Sequence, residues 1–445
     1  TGTAAHVWPI TCGSHHFSPH SREFSVLVRP MSRPSRTRTR TRTLAGAAAA
    51  AAVVVVMPAV AFAQSSLPGG SSGSLDTSLI PPGVLFPPEV GNGAGDGVEV
   101  VEGPAVRATT VMEGLNIPWD VVRTPDGTLL TGERGGRMVV QEPGEEQRTV
   151  SIDLPGLVRQ SESGLMGMAV DAGFEQNREI HVCWSRSADG ERDNRITTFE
   201  AADDWSELTK VRDTLTGIPL GEEGIHSGCR LLTAPDGTLY VGTGDTYTAT
   251  APQSPDSLAG KTLHINPDGS PASGDSVVHT IGHRNVQGLA IDPDSDRLYS
   301  AEHGPDAHDE VNLLQPGANY GWNPNVDGRY NQNVPMTDTE EFPDAVEAVW
   351  SSGEQTLAPS DIEFLRGSEW GEWEGALAMA NLRSQKLVLL RLSEDGRSVV
   401  DSAVLLEGEF GRLRSLAPEP DGSLLVTTSD ADNRDSVFRI SPAAG

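Results

Sequence analysis

Three groups of residues in this chain have the types and spacing that chemistry needs. Between Gly282 and Trp322, Arg284 stands beside Asn285, and a Gly-Pro turn (Gly304, Pro305) lies among acids that run on to Glu310. A guanidinium polarises a carbonyl or grips a carboxylate at two points. Main-chain carbonyls at such a turn, near carboxylates, suit a hard cation such as calcium. Both features fit an anionic, carbonyl-bearing ligand clamped by arginine and calcium. In the second group, His226 is a residue type that titrates near neutrality and can act as a general base. Asp245 follows it by nineteen residues, about the length of a hairpin, so its carboxylate is placed to orient the imidazole. In the third, Arg412 and Arg414 alternate along an expected strand and share a face, ready to grip one ligand. Each group has a structural alternative: a turn cap for His226, an ion pair for Arg284, solvated strand arginines for the pair. His303, Asp306, His308, Asp309 and Glu310 equally suggest a transition-metal site, with a solvated loop as the alternative for His308.

The elements that must position these groups are short strands. From about Val98 onward no helical period is sustained, and the phrase Pro-Asp-Gly recurs at 125–127, 235–237, 267–269 and 420–422, with Asp292-Pro293-Asp294 as a variant. Asp-Gly is a hairpin signal, because both positions tolerate positive φ. Strand-like runs such as Thr238 to Val241 and Ser423 to Val426 follow these turns. In Glu179 to Ser185, Ile180, Val182 and Trp184 share one face, and His181, Cys183 and Ser185 the other. Regular hairpins over about 340 residues suggest repeated four-stranded units; six of them would average roughly 57 residues each, leaving room for functional loops.

The ends of the chain read differently. Residues 1–30 precede the first methionine, Met31, and are expected to be upstream sequence or a disordered tail. Residues 31–63 look like a secretory signal, with a basic start, an apolar stretch from Leu44 to Met57, and Ala61-Phe62-Ala63 at the cleavage positions. Residues 64–97, rich in Gly, Ser and Pro, read as a flexible linker to a domain spanning 98–445. Export to the periplasm or outside the cell is therefore expected, with no stable membrane insertion. A formal net charge of −29 makes nucleic acid and anionic membrane surfaces poor partners. Beyond the leader the cysteines are Cys183 and Cys229. Two cysteines make no disulfide framework, so separate thiols are the expectation.

The motifs also carry a family resemblance. GHRNVQGLA, EHGPDAHDEVN and ANYGW resemble the soluble quinoprotein glucose/sorbosone dehydrogenases, also called aldose sugar dehydrogenases. PWDVVRTPDGTLLTGERGGRM, ESGLMGMAVDAGFEQNREIHVCWS, HSGCRLLTAPDGTLYVGTGD, LAGKTLHINPDGS, APSDIEFLRG and GRLRSLAPEPDGSLLVTTSD follow in the family's order, covering Val111 to Pro442. The resemblance implies an all-β fold, a six-bladed β-propeller of four-stranded antiparallel blades, binding pyrroloquinoline quinone and calcium. It implies oxidation of aldose sugars to lactones, with electrons passed to an external acceptor.

Carried over residue by residue, the resemblance makes His226 the base and Asp245 its orienting partner, which also contacts substrate. Arg284 and Asn285 would face the quinone carbonyls, and His303 would contact the cofactor. Arg383, Arg412 and Arg414 would hold its carboxylates, although Arg383 replaces a lysine of some relatives. Gly304 and Pro305 would offer main-chain oxygens to calcium. Glu162 stands where some relatives have a substrate-binding glutamine, and Trp119 is expected in the core. Two alternatives share the propeller: a metal-dependent lactonase, and a non-catalytic carbohydrate-binding protein.

Overall fold

A computed structural model describes residues 84–86, 95 and 98–443. The segment 1–30, the expected leader 31–63 and most of the expected linker 64–97 lie outside the described residues. Within that linker stretch, Val84–Phe86 is a strand paired antiparallel with residues 106–108. The fold is almost wholly β. Among the described residues its helical pieces are Phe174–Asn177 and the short 3-10 segment Ser368–Trp373.

The recurring turn shows why so many short strands form. In each Pro-Asp-Gly phrase the aspartate Oδ1 accepts the main-chain N–H two residues on: Thr128 at 3.0 Å, Thr238 at 3.0 Å, Ser270 at 2.9 Å and Ser423 at 3.0 Å. The glycines take φ of 92°, 85°, 87° and 84°, open to them without a Cβ penalty. The chain reverses there and the flanking strands pair.

The strands assemble into antiparallel runs of four. These extend from Pro118–Arg123 to Arg148–Ile152, Leu165–Val170 to Glu207–Pro219, and Arg230–Thr233 to Val278–Ile281. Two more run from Val286–Ile291 to Trp350–Ser351 and from Pro359–Phe364 to Val399–Leu405. In the last, Leu413–Pro418, Leu424–Thr428 and Asp435–Pro442 are completed by the early strand Val106–Leu115, which joins the two ends of the domain. The first two runs share one eight-stranded sheet through a short parallel pairing of Ser151 and Ile152 with Glu207 and Leu208.

The apolar cores lie between consecutive runs. Met112, Val121 and Val437 fill one gap; Val140, Leu165 and Val182 the next; Cys183, Cys229 and Leu263 a third. Leu289 and Tyr320, then Val311 and Met379, then Ala403 and Phe438 occupy the others, and the gap filled by Met112, Val121 and Val437 is the one that closes the last run back on the first. The alternation read in Glu179 to Ser185 serves two cores: Ile180, Val182 and Trp184 enter one, and Cys183 the other. That placement corrects the expectation of separate thiols. Cys183 and Cys229 form a disulfide, their Cα atoms 6.3 Å apart across the gap between two sheets.

Candidate active site

The antiparallel hairpin places every candidate group. Pairing brings the start of the first strand of a run beside the end of its second, as Arg230 beside Gly242 and Val286 beside Glu302. Residues just before first strands therefore meet residues just after second strands at one rim. Glu162, His226, Arg284 and Arg412 are of the former kind; Arg134, Asp245, His303 and Asp430 of the latter.

His226 and Asp245 meet as the spacing suggested. His226 Nδ1 lies 2.7 Å from Asp245 Oδ1, and both side chains are buried. The carboxylate accepts the Nδ1 proton, which leaves Nε2 with its lone pair and the role of a base. Asp245 Oδ1 also accepts from Tyr247 N at 3.0 Å, and Oδ2 accepts from Trp322 Nε1 at 2.8 Å and Tyr330 Oη at 2.7 Å. Burial would raise its carboxyl, but the hydrogen bond and charge of His226 and the donors Tyr330 and Trp322 outweigh it and hold the group below the usual carboxylate range. The approach is tight: a Cβ on Gly244 would stand 2.0 Å from the His226 carbonyl oxygen. His226 itself has φ 48°, a left-handed conformation that a non-glycine residue keeps only under constraint from its surroundings.

Arg284 is fixed by its backbone. Its N–H donates to Glu302 Oε2 at 2.7 Å, Glu302 Oε1 pairs with His283 Nδ1 at 2.8 Å, and Arg284 Nη1 donates to the His303 carbonyl at 3.1 Å. The guanidinium carbon lies 5.7 Å from the Trp322 ring centre. Asn285 is buried, its Oδ1 accepting from Gly228 N at 3.2 Å and its Nδ2 donating to Glu162 at 3.4 Å. Burial, reinforced by the charges of Arg284, His226 and Arg414, pushes His303 down to about 3, so the ring is neutral at pH 7.

Beside these groups lies a cavity of about 350 Å³, lined by Arg134, Glu162, Gln287, His303, Arg412, Arg414 and Asp430 among others. Arg414 is buried 4.7 Å from the Trp119 ring centre, while Arg230 lies 4.6 Å from the same ring. Trp119 is thus core, as expected. Burial and the nearby charges of Arg230 and Arg134 lower Arg414 to about 9. The Nε atoms of Arg284 and Arg414 and the Nε2 of His303 are buried with no hydrogen-bond partner. Buried donors without acceptors are costly. Three guanidinium groups facing one cavity, with orphaned nitrogens beside it, suit a polyanionic ligand that accepts hydrogen bonds.

Other expectations fall differently. Arg383 is exposed and does not line the cavity; its main-chain N–H donates to the Leu357 carbonyl at 3.1 Å. The five residues that suggested a transition metal are dispersed: His303 faces the cavity, whereas His308 is 52% exposed and lies 3.7 Å from Glu354. Asp309 accepts from Gly304 N at 3.0 Å, Leu357 N at 2.7 Å and Ala358 N at 2.9 Å, so it braces the Gly-Pro turn. That turn is tight enough to need glycine, since a Cβ on Gly304 would sit 1.9 Å from the Ala307 carbonyl oxygen. Among the described residues, no three His, Cys, Asp or Glu side chains form a group that could hold a metal ion. Sequence reasoning assigned no role to Arg134, Gln287, Trp322 or Tyr330. The first three lie inside motifs already quoted; Tyr330 had no signal, because its partner is distant in sequence.

Comparison with known proteins bears on this arrangement. The family model described as Glucose / Sorbosone dehydrogenase matches residues 115–438. A structure from Thermus thermophilus described as a glucose dehydrogenase is 33% identical, with a TM-score of 0.65, covering 76% of this chain and 100% of its own. The PQQ-bound form of an aldose sugar dehydrogenase from Streptomyces coelicolor is 30% identical, with a TM-score of 0.64, covering 76% of this chain and 98% of its own. The aldose sugar dehydrogenase of Escherichia coli is 26% identical over 76% of this chain and 93% of its own length.

Proposed function

The chain belongs to the glucose/sorbosone dehydrogenase family, and from that premise we propose that it oxidises aldose sugars at the anomeric hydroxyl to lactones, using pyrroloquinoline quinone. The observation that carries this reading is the His226–Asp245 pair at 2.7 Å, on the same rim as the arginine-lined cavity with its orphaned nitrogens. The quinone, when bound, supplies a carbonyl that accepts a hydride. Arg412, Arg414 and Arg134 answer its carboxylates, and Arg284 and Asn285 stand by for its carbonyls. His226 Nε2 takes the hydroxyl proton, and Asp245 holds the ring in the required tautomer and balances the resulting charge. Glu162, bonded to Asn285, accepts hydrogen bonds from sugar hydroxyls.

Calcium completes the reading. The residues that would hold it are Gly304 and Pro305, through their main-chain oxygens, and it would add positive charge beside the quinone. A six-bladed propeller is the architecture that best accommodates six four-strand runs with apolar cores between successive runs. Export is inferred from the leader-like segment 31–63. No helix among the described residues is long and apolar enough to cross a membrane. The hydrolase alternative would draw on channel carboxylates, but Asp120 and Asp361 are engaged by Arg230 at 2.9 and 3.2 Å.

The test is to titrate the purified chain with quinone and calcium, then offer an aldose panel with a dye acceptor and identify the product. Lactone formation that chelation abolishes and calcium restores is the expected result, with poor rescue by magnesium or zinc. Quinone-loaded protein that oxidises none of the sugars would overturn the reading.

A further inference from the structure

We propose that Tyr330 is a positioning residue whose hydroxyl, acting through Asp245, sets the basicity of His226. This role rests on the assignment of His226 as the base in the function proposed above, and it concerns a residue outside the motifs that carry that function.

Asp245 is fully buried and both of its oxygens are occupied. His226 draws on Oδ1, while Trp322 Nε1 and Tyr330 Oη draw on Oδ2 at 2.8 and 2.7 Å. A carboxylate carries one negative charge, and each donor stabilises part of it. What His226 receives is therefore set by what the other donors take, the Tyr247 N–H on Oδ1 and the Trp322 and Tyr330 side chains on Oδ2. Trp322 is locked in the core with no exposed surface. Tyr330 arrives from elsewhere, on the small hairpin of Asn325–Val326 and Arg329–Tyr330, 85 residues from Asp245.

The surroundings keep this coupling strong. Tyr247, 42% exposed, stacks on Tyr330 with ring centres 4.5 Å apart and tilts over His226 at 4.5 Å. The two rings shield the buried pair from water, and hydrogen bonds to an ion are least weakened where water is excluded. Arg284, whose carbonyl accepts from Asp245 N at 2.8 Å, borders the pair, as do His303, which feels the charges of Arg284, His226 and Arg414, and Glu162, whose N–H donates to the Gly224 carbonyl. Arg284 and Arg414 are cationic, whereas Asp245 is the anion bonded directly to His226. Asp245 is thus the feature that favours protonation, and Tyr330 moderates it. Loss of the hydroxyl leaves more of the negative charge for His226, so the imidazolium becomes easier to form.

The experiment uses the full chain with ¹⁵N-labelled histidine, without cofactor, and follows each imidazole by NMR as pH changes. The His226 signal is identified by its absence in His226→Gln. In Tyr330→Phe, which keeps the ring stack and removes only the hydroxyl, the His226 midpoint should rise by roughly one pH unit. Tyr247→Phe, which keeps both rings and the Tyr330 hydroxyl, should leave it in place. In quinone-loaded protein, the acid limb of kcat/KM in Tyr330→Phe should move upward by the same amount. An unmoved midpoint in Tyr330→Phe overturns the proposal, as does an equal shift in Tyr247→Phe. A shifted midpoint in a chain that oxidises no sugar supports the positioning role and sinks the assigned reaction; sugar oxidation with an unmoved midpoint does the reverse.

Discussion

Cys183 and Cys229 are joined by a disulfide that ties the strand Glu179–Ala188 to the residue three places beyond His226. The bond spans 46 residues and crosses from one sheet to its neighbour, and both cysteines are fully buried. It anchors the loop that carries the base in its left-handed conformation.

Removing that anchor should destabilise the fold. Closing a loop of 46 residues restricts the unfolded chain by an amount worth about 4 kcal/mol in the chain-entropy picture. Cys183→Ala with Cys229→Ala should therefore lower stability by up to that amount, read from denaturant unfolding. An unchanged unfolding midpoint would contradict a stabilising role.

His226→Gln should slow turnover by about a hundred- to ten-thousandfold, the usual cost of losing a general base. Quinone binding, followed by absorbance titration, should stay within a few-fold, because the cavity cations lie on other elements. Near-normal kcat in this variant would remove His226 from the reaction.

Arg412→Ala with Arg414→Ala should have the opposite profile. Both side chains line the cavity, and each charge-assisted pair is worth about 1.5–3 kcal/mol, so quinone affinity should fall by roughly two to four orders of magnitude. Circular dichroism should report an intact β fold. Equal reconstitution of variant and parent at limiting quinone would disprove the assignment.

Acid should destabilise the chain through buried neutral histidines. Burial, aided by the charges of His264 and His283, pushes His279 down to about 4, and His303 lies lower, at about 3. An unfolded histidine titrates near 6.5, so below that pH the unfolded chain binds more protons than the folded one. Stability should thus be intact above about pH 6.5 and fall progressively toward pH 4. His279→Gln should flatten the fall in melting temperature over that range. An identical slope in variant and parent would show that His279 contributes nothing to it.

Much of the site was legible because its pairs are local. Arg284 and Asn285 are neighbours, Gly304 and Pro305 form one turn, and His226 and Asp245 are a hairpin apart, a distance that strand pairing converts into contact. Arg412 and Arg414 both reach the cavity as their alternation implied. Arg383, assigned from the resemblance alone, does not line the cavity: it is exposed, two residues past the end of the strand Leu377–Asn381.

The sequence by itself determined the local physics: Pro-Asp-Gly turns close hairpins, alternating side chains feed two cores, and short spacings place one strand's end beside another's start. Only the tertiary structure decided which distant residues share the rim. Tyr330 reaches Asp245 across 85 residues, Asn285 reaches Glu162 across 123, and Arg414 reaches Gln287 across 127. The joining of Cys183 to Cys229 is of the same kind. Hydrogen bonding along a hairpin acts between near neighbours, whereas these contacts exist only once apolar burial has packed each run of strands against the next.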